Sequence, residues 1–139
     1  QSPAFIPNKA MRIIDGSDVT IIATGTLVSR AVAAAAELKA EGISARVINL
    51  STVSPLDTAE ILAAAKETKA IITAEESVTR GGIGGAIAEF VVQNHPVPMK
   101  LMGIDSFAPT GSTTFLLEHF GLTSDSIVAS ARELLKHGK

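Results

Sequence analysis

A repeated alternation of short apolar runs and longer helical patterns constrains the fold most. The apolar runs read "VTIIA" (19–23), "ARVINL" (45–50), "AIITAE" (70–75) and "VPMKLMGI" (97–104). Their starts lie roughly 25 residues apart, with a helical pattern between each pair. Such spacing is typical of parallel βαβ units, whose right-handed crossovers place helices on both faces of the sheet.

The N-terminal stretch adds one further strand. Residues 11–25, "MRIIDGSDVTIIATG", place an Asp-Gly-Ser-Asp turn between two apolar runs, and this pattern predicts a β-hairpin. We therefore predict an α/β fold over residues 10–139, a three-layer α/β/α domain with a five-stranded, mostly parallel sheet. Four strands are parallel, and the first strand of the hairpin is antiparallel. Residues 1–9 are predicted to be a linker or the start of the domain.

Helix boundaries follow from capping residues and apolar faces. The helical patterns cover residues 27–42, 54–68, 82–95, 112–121 and 123–138. The first pattern presents one apolar face and ends at Gly42. The later helices have capping candidates at their starts. The apolar face of the first helix comprises Leu27, Ala31, Ala34, Ala35 and Leu38. The capping candidates of the later helices are Asp57, Ser112 or Thr113, and Thr123 or Ser124.

Composition excludes several classes of function. The net charge of the 139 residues is −2, and no basic block marks a nucleic-acid surface. No apolar run reaches the ~18 residues that a membrane helix needs. Cysteine is absent, and the three histidines show no metal-ligand spacing, so we predict no metal site. A reduced intracellular compartment fits this composition, and we expect a cytoplasmic protein.

Two adjacent carboxylates stand in "AEESVTRGGIGGAIAEF" (74–90). Glu75 and Glu76 end a predicted parallel strand, at the edge of the sheet where α/β proteins bind ligands, so an acid/base pair is one interpretation. Consecutive strand residues point to opposite faces, however. The alternative is a structural corner in which one carboxylate caps a helix N-terminus and the other pairs with Arg80. We predict this corner and no catalytic residue.

Two strand-to-helix turns are candidate anion-binding sites. Thr24, Gly25 and Thr26 precede one helix, and Gly81 and Gly82 precede another. Backbone N–H groups and the helix dipole favour anions at such places. Neither spacing matches a dinucleotide or P-loop motif, and capping by Thr24 or Thr26 is the alternative at the first turn.

The glycine-rich helix is apolar around most of its circumference. Glycine inside a helix is unfavourable unless an anion or another backbone comes close. A helix that is apolar nearly all round is buried on two sides. One side covers the sheet, and we predict that the other meets a second subunit. The predicted interface comprises Gly82, Ile83, Gly85, Ala86, Ile87, Phe90 and Val91.

These motifs together resemble the C-terminal domain of transketolases. The resemblance covers about 120 residues and rests on residues 18–57, 70–91 and 103–135. The specific motifs are the strand–Ala-Thr-Gly–helix start, the Pro-Leu-Asp after the second run, and the Glu-Glu block before Gly-Gly-x-Gly-Gly. Similar domains occur in deoxyxylulose-phosphate synthases, 2-oxoacid dehydrogenase β subunits and pyruvate:ferredoxin oxidoreductases.

The resemblance implies a part of an enzyme. Transketolases transfer a two-carbon ketol unit between sugar phosphates with thiamine diphosphate and Mg²⁺. Both are held by domains N-terminal to this one, so no cofactor-binding residue is expected here. The implied partners are those N-terminal domains or their subunit, in a homodimeric assembly. One departure is Phe107-Ala108-Pro109-Thr110-Gly111, where many members have Phe-Gly-Glu-Ser-Gly. A stand-alone anion-binding regulatory module is the alternative interpretation.

Overall fold

The chain folds into a three-layer α/β/α domain, seen in a computed structural model that describes residues 4–137. Residues 4–137 form five strands and five helices, in the class that the sequence predicts. The first two strands are consecutive, strands and helices then alternate, and the last two helices are consecutive. The strands are β1 (Met11–Ile14), β2 (Val19–Ala23), β3 (Ala45–Asn49), β4 (Ile71–Val78) and β5 (Met99–Ile104). The helices are α1 (Leu27–Ala40), α2 (Thr58–Glu67), α3 (Ile83–Asn94), α4 (Thr113–His119) and α5 (Ser124–His137).

The sheet has the strand order β1-β3-β2-β4-β5. β2, β3, β4 and β5 run parallel, and β1 is antiparallel. The carboxyl ends of four strands therefore meet along one edge of the sheet. Ligands of open α/β sheets bind outside this edge.

The predicted hairpin is wrong in its pairing, although the antiparallel strand is present. β1 pairs with β3, and not with its sequence neighbour β2. The segment between β1 and β2 passes the start of β3, where a Cβ on Gly16 would lie 2.4 Å from the carbonyl carbon of Ala45. The Asp-Gly-Ser-Asp turn is thus a crossing over one strand, and glycine is required there because two backbones touch.

Two apolar cores lie on opposite faces of the sheet. One joins β2, β3 and β4 to α1, α4 and α5, and it contains the whole predicted face of α1 from Leu27 to Leu38. The other packs α2 and α3 on the opposite face. Within residues 4–137, no helix has both the length and the apolar content to cross a bilayer.

Side-chain caps fix three helix starts, as the sequence predicts. Asp57, Ser112 and Thr123 accept backbone N–H groups at the starts of α2, α4 and α5. Asp57 also accepts the N–H of Ala10 at 3.0 Å, which ties the beginning of the domain to α2. That residues 1–9 are a linker or the start of the domain stays a prediction, and residues 1–3 lie outside the described part.

Asp18 joins the amino ends of three strands. Its carboxylate accepts the Lys69 ammonium at 2.8 Å and the Ser44 N–H at 2.9 Å. These two hydrogen bonds, the one from Lys69 being the larger cause, lower the pKa of Asp18 from its ordinary value of 3.8. The stabilisation is therefore complete above the unfolded-state pKa and is lost as the pH falls through the folded-state pKa.

We expect Asp18→Asn to lower the free energy of unfolding by about 1 kcal/mol at pH 7, since one charge-assisted bond is lost. The difference from the wild type should be smaller at pH 3, below the ordinary pKa of the carboxyl, because the stabilisation is lost as the pH falls towards the lowered folded-state pKa. Denaturant unfolding at both pH values measures it, with the exposed Glu133→Gln as the control. An equal difference at both pH values would contradict the assignment.

Candidate functional site

The candidate site lies at the carboxyl end of β4, where the two adjacent glutamates stand. β4 continues beyond the predicted strand to Val78, and the chain then turns through Arg80 and Gly81 into α3. Beside this turn, an open cleft of about 730 Å³ is lined by residues from the ends of β4 and β5. Its lining is Val78, Thr79, Arg80, Ile104, Asp105, Ser106 and Phe107.

Glu75 is buried and binds the N-terminus of α3. Its side chain is in a residue only 2% exposed. One carboxylate oxygen accepts the N–H of Ile83 at 3.0 Å, and the other accepts the N–H of Gly84 at 2.7 Å. These are the first two N–H groups of the helix, which have no partner inside it. The helix dipole also favours a negative charge at this position.

The glycines around Glu75 are required by close contact. A Cβ on Gly82 would lie 2.1 Å from a Glu75 carboxylate oxygen and 2.3 Å from the Val78 carbonyl oxygen. A Cβ on Gly84 would lie 2.6 Å from the Thr73 hydroxyl. That hydroxyl is buried and has no hydrogen-bond partner among the described residues. The glycines therefore let α3 approach β4 closely enough for Glu75 to reach its N–H groups.

Glu76 and Arg80 do not form the predicted ion pair. Both residues are exposed, and the salt bridges within residues 4–137 include neither of them. Glu76 points to the opposite face from Glu75, towards the turn after β2, where its Oε2 lies 3.8 Å from a Cβ placed on Gly25. The corner therefore consists of Glu75 and the glycines. The prediction that Arg80 belongs to it through an ion pair is wrong.

The two candidate anion sites come close to carboxylates of the chain itself. The N–H groups after Gly81 and Gly82 already bind Glu75. At the other turn, the N–H groups of Leu27 and Val28 donate to the carbonyls of Thr24 and Gly25 at 3.3 Å. Thr26 occupies the N-cap position of α1 without a side-chain hydrogen bond, so the alternative of threonine capping is wrong there.

The predicted subunit-contact face of α3 needs a partial correction. Ile83, Ile87 and Val91 are 5%, 0% and 2% exposed and belong to the core beneath the helix. Gly82 faces Glu75, outside the helix proper, which begins at Ile83. Gly85, Ala86 and Phe90 keep part of their surface and stay predicted contact residues. The helix is less apolar on its outer side than the sequence indicates, because three of its largest side chains serve the core.

The structure contains a cluster around Arg46, at the other end of the sheet, that the sequence analysis did not predict. Arg46 is 3% exposed and donates to Glu67 at 2.6 Å and to Asp15 at 3.1 Å. One further buried guanidinium nitrogen finds no hydrogen-bond partner in the described part of the chain. The Gly16 N–H and then Arg46 lower the pKa of Asp15. The unexpected β1–β3 pairing brings Asp15 to Arg46, whereas Glu67 reaches it from the end of α2. Within residues 4–137, no three histidine, aspartate or glutamate side chains form a group that could hold a metal ion.

We expect Glu75→Gln to lower the free energy of unfolding by about 1–3 kcal/mol, because the amide NH₂ would face a backbone N–H and leave a buried donor unsatisfied. The matched control is Glu76→Gln, which changes an exposed neighbour and should stay within about 0.5 kcal/mol of the wild type. Urea unfolding compares the two. Equal effects would contradict the capping role of Glu75.

Comparison with known proteins agrees with this fold. The family model "Transketolase, C-terminal domain" matches residues 8–127. The chain is 43% identical over 135 residues to the 6-deoxy-6-sulfo-D-fructose transketolase subunit SqwH of Clostridium sp. (strain MSTE9), covering 96% of this chain and 42% of that protein. It is 39% identical over 133 residues to a subunit of the apulose-4-phosphate transketolase of Phocaeicola vulgatus, covering 95% of this chain and 42% of that protein.

A 1-deoxy-D-xylulose-5-phosphate synthase of Heliobacterium modesticaldum is 44% identical over 121 residues, or 86% of this chain and 19% of that protein. Among solved structures, a split gene transketolase described as an inactive beta4 tetramer superposes with a TM-score of 0.92. It is 35% identical and covers 97% of this chain and 45% of that chain. The chain spans less than half the length of these relatives. It belongs to the transketolase C-terminal domain family and is a C-terminal part of the transketolase type.

Proposed function

We propose that this chain supports subunit assembly in a transketolase-type transferase that depends on thiamine diphosphate and Mg²⁺. In that enzyme, a two-carbon ketol unit passes between sugar phosphates at a site built by other domains. The chain itself supplies no catalytic residue and does not bind the cofactor. Alone it is inactive.

The observation that supports this proposal most is the role of Glu75 in binding the N-terminus of α3. Glu75 is a buried carboxylate at the carboxyl edge of the sheet, where an α/β protein would place a catalytic acid. Both of its oxygens accept N–H groups of α3. A general acid or base must reach a substrate proton within hydrogen-bond distance. Glu75 faces its own helix instead, so its role is to position α3.

The side chains at this edge do not fit the cofactor. A diphosphate with Mg²⁺ needs oxygen ligands for the metal and cationic or N–H donors for the phosphates. Beside the cleft at β4 and β5, the charged side chains are Arg80 and Asp105, one of each sign. Within residues 4–137 no acidic cluster gathers there. The cofactor therefore binds in the partner domains.

Partners are the N-terminal transketolase domains, on the same polypeptide or on a separate subunit. The SqwH and apulose-4-phosphate relatives are both described as transketolase subunits. The split gene relative is described as a beta4 tetramer. By analogy, this chain associates with copies of itself, with a two-fold dimer as the unit, and works in the cytoplasm within sugar phosphate metabolism such as the pentose phosphate pathway.

A second candidate is the corresponding part of a 1-deoxy-D-xylulose-5-phosphate synthase. The observation that favours it is the 44% identity over 121 residues to the Heliobacterium modesticaldum enzyme. The two candidates differ in the substrates of the complete enzyme and share the assembly role of this domain. A stand-alone anion-binding module has less support, because a carboxylate already binds the N-terminus of α3.

Isothermal titration calorimetry of the chain with thiamine diphosphate and Mg²⁺ tests the proposal. We expect no saturable heat, since no side-chain set in the described residues fits the cofactor. A titration with inorganic pyrophosphate and Mg²⁺ serves as the matched arm. Saturable binding of thiamine diphosphate would contradict the proposal, and saturable binding of pyrophosphate would support the anion-binding module in its place.

A further inference from the structure

Asp15 is followed directly by Gly16, and nowhere else in the chain does an aspartate or asparagine precede a glycine. Such a pair can rearrange without an enzyme. The main-chain nitrogen of the glycine attacks Cγ of the aspartyl side chain, water leaves from Cγ, and a five-membered succinimide ring forms. Water then adds to the other ring carbonyl and opens the ring to isoaspartate. The two steps release and consume one water, and glycine favours the attack because no side chain hinders its nitrogen.

The fold requires the glycine of this pair. A Cβ on Gly16 would lie 2.4 Å from the carbonyl carbon of Ala45 and 2.5 Å from the main-chain nitrogen of Arg46. Cβ atoms do not approach a backbone so closely, so the crossing from β1 to β2 passes β3 only at a residue without a side chain. The reactive pair is therefore part of the crossing itself.

The side chain of Asp15 is open to the water that takes part in the reaction. It is 71% exposed, so burial does not restrain it. What restrains it is a set of three donors on one carboxylate oxygen. Arg46 Nε donates to this oxygen at 3.1 Å, Arg12 Nη1 at 3.2 Å and the Gly16 N–H at 3.0 Å.

These three contacts oppose the cyclisation at both reacting atoms. Water leaves readily from Cγ of a protonated carboxyl group and poorly from an ionised one, and cationic donors favour the ionised form. The Gly16 N–H, and after it Arg46 and Arg12, lower the pKa of Asp15 from its ordinary value of 3.8. The glycine nitrogen must lose its proton to attack, and that proton is donated to the carboxylate.

The two arginines are themselves held in place by α2. Arg46 donates to Glu67 at 2.6 Å, and Arg12 donates to Glu60 at 2.8 Å. Arg46 is also buried beneath the crossing. The guanidinium groups thus keep a fixed position beside Asp15, although Asp15 itself is exposed.

We propose that Asp15 is a site of spontaneous isomerisation to isoaspartate, and that Arg12 and Arg46 set its rate by holding the carboxylate ionised and in place. Isoaspartate adds one carbon to the main chain between residues 15 and 16. Because Gly16 already touches β3, the longer crossing displaces β1 from its pairing with β3. This modification goes beyond the assembly function and does not depend on it.

Incubation of the folded chain at neutral pH, beside a peptide of residues 11–20, tests whether the structure restrains the reaction. Electron-transfer dissociation mass spectrometry quantifies isoaspartate at residue 15, because it cleaves the Cα–Cβ bond that isoaspartate places in the main chain. We expect both to form isoaspartate there, the folded chain more slowly. High salt should raise the rate of the folded chain towards that of the peptide, because it screens exposed ion pairs.

Substitution of the arginines tests the assignment to the ion pairs. Arg12→Met and Arg46→Met should each raise the rate at Asp15 by at least about threefold, the population change that release of a surface ion pair can produce. Arg12→Lys keeps the charge and should stay closer to the wild type. The matched control is Ile13→Ala, which removes a partly buried side chain of β1 and leaves the ion pairs in place. It should isomerise as the wild type does.

The proposal would be overturned by a wild-type chain that isomerises as fast as the peptide, or by one that forms no isoaspartate at residue 15 while the peptide does. Acceleration by Ile13→Ala equal to that by Arg12→Met would also overturn it, since loosening of β1 would then be the cause. Thermal unfolding shows whether each variant is folded. If the arginine variants fail to fold, the salt dependence of the wild-type rate decides.

Discussion

Contact between the Glu75 carboxylate and the first two N–H groups of α3 sets the position of that helix on the sheet. Each oxygen accepts one N–H, at 3.0 and 2.7 Å, in a site that is nearly closed to solvent. The contact is possible only because Gly82 and Gly84 bring the helix start within van der Waals distance of β4. Removing either the carboxylate or the glycines leaves buried groups without partners or forces the helix away.

The same contact occupies the buried member of the acidic pair at the carboxyl edge of the sheet. In other α/β proteins, the N–H groups of a helix start and an acid at a strand end are both available to a ligand. Here they bind each other. Glu76 and Arg80 are both exposed, and only Arg80 lines the open cleft. The edge is thus a structural corner, which fits a domain whose relatives are longer and described as transketolase subunits.

Local patterns predict most of this fold from the sequence. The spacing of the apolar runs predicts the parallel strands. The position of Asp57 three residues before Glu60 predicts that it caps α2. The hairpin prediction fails because it assumes that sequence neighbours pair, whereas β1 lies beyond β3 and depends on the long-range contact at Gly16. The α3 interface fails at Ile83, Ile87 and Val91 because periodicity shows that a helix is apolar but not how much of it the sheet covers. The sequence also could not show which of the two glutamates caps α3, because that depends on where β4 ends.

The account depends most directly on the hydrogen bonds from Ile83 and Gly84 to Glu75. Nuclear magnetic resonance detects such bonds through the scalar coupling between a backbone amide nitrogen and the carboxyl carbon that accepts its proton. We predict cross-peaks from both amides to the Glu75 side-chain carboxyl carbon, and from neither amide to Glu76. Absence of both cross-peaks in the folded chain, with well-resolved couplings elsewhere in the sheet, would contradict the account and return Glu75 to the candidates for chemistry.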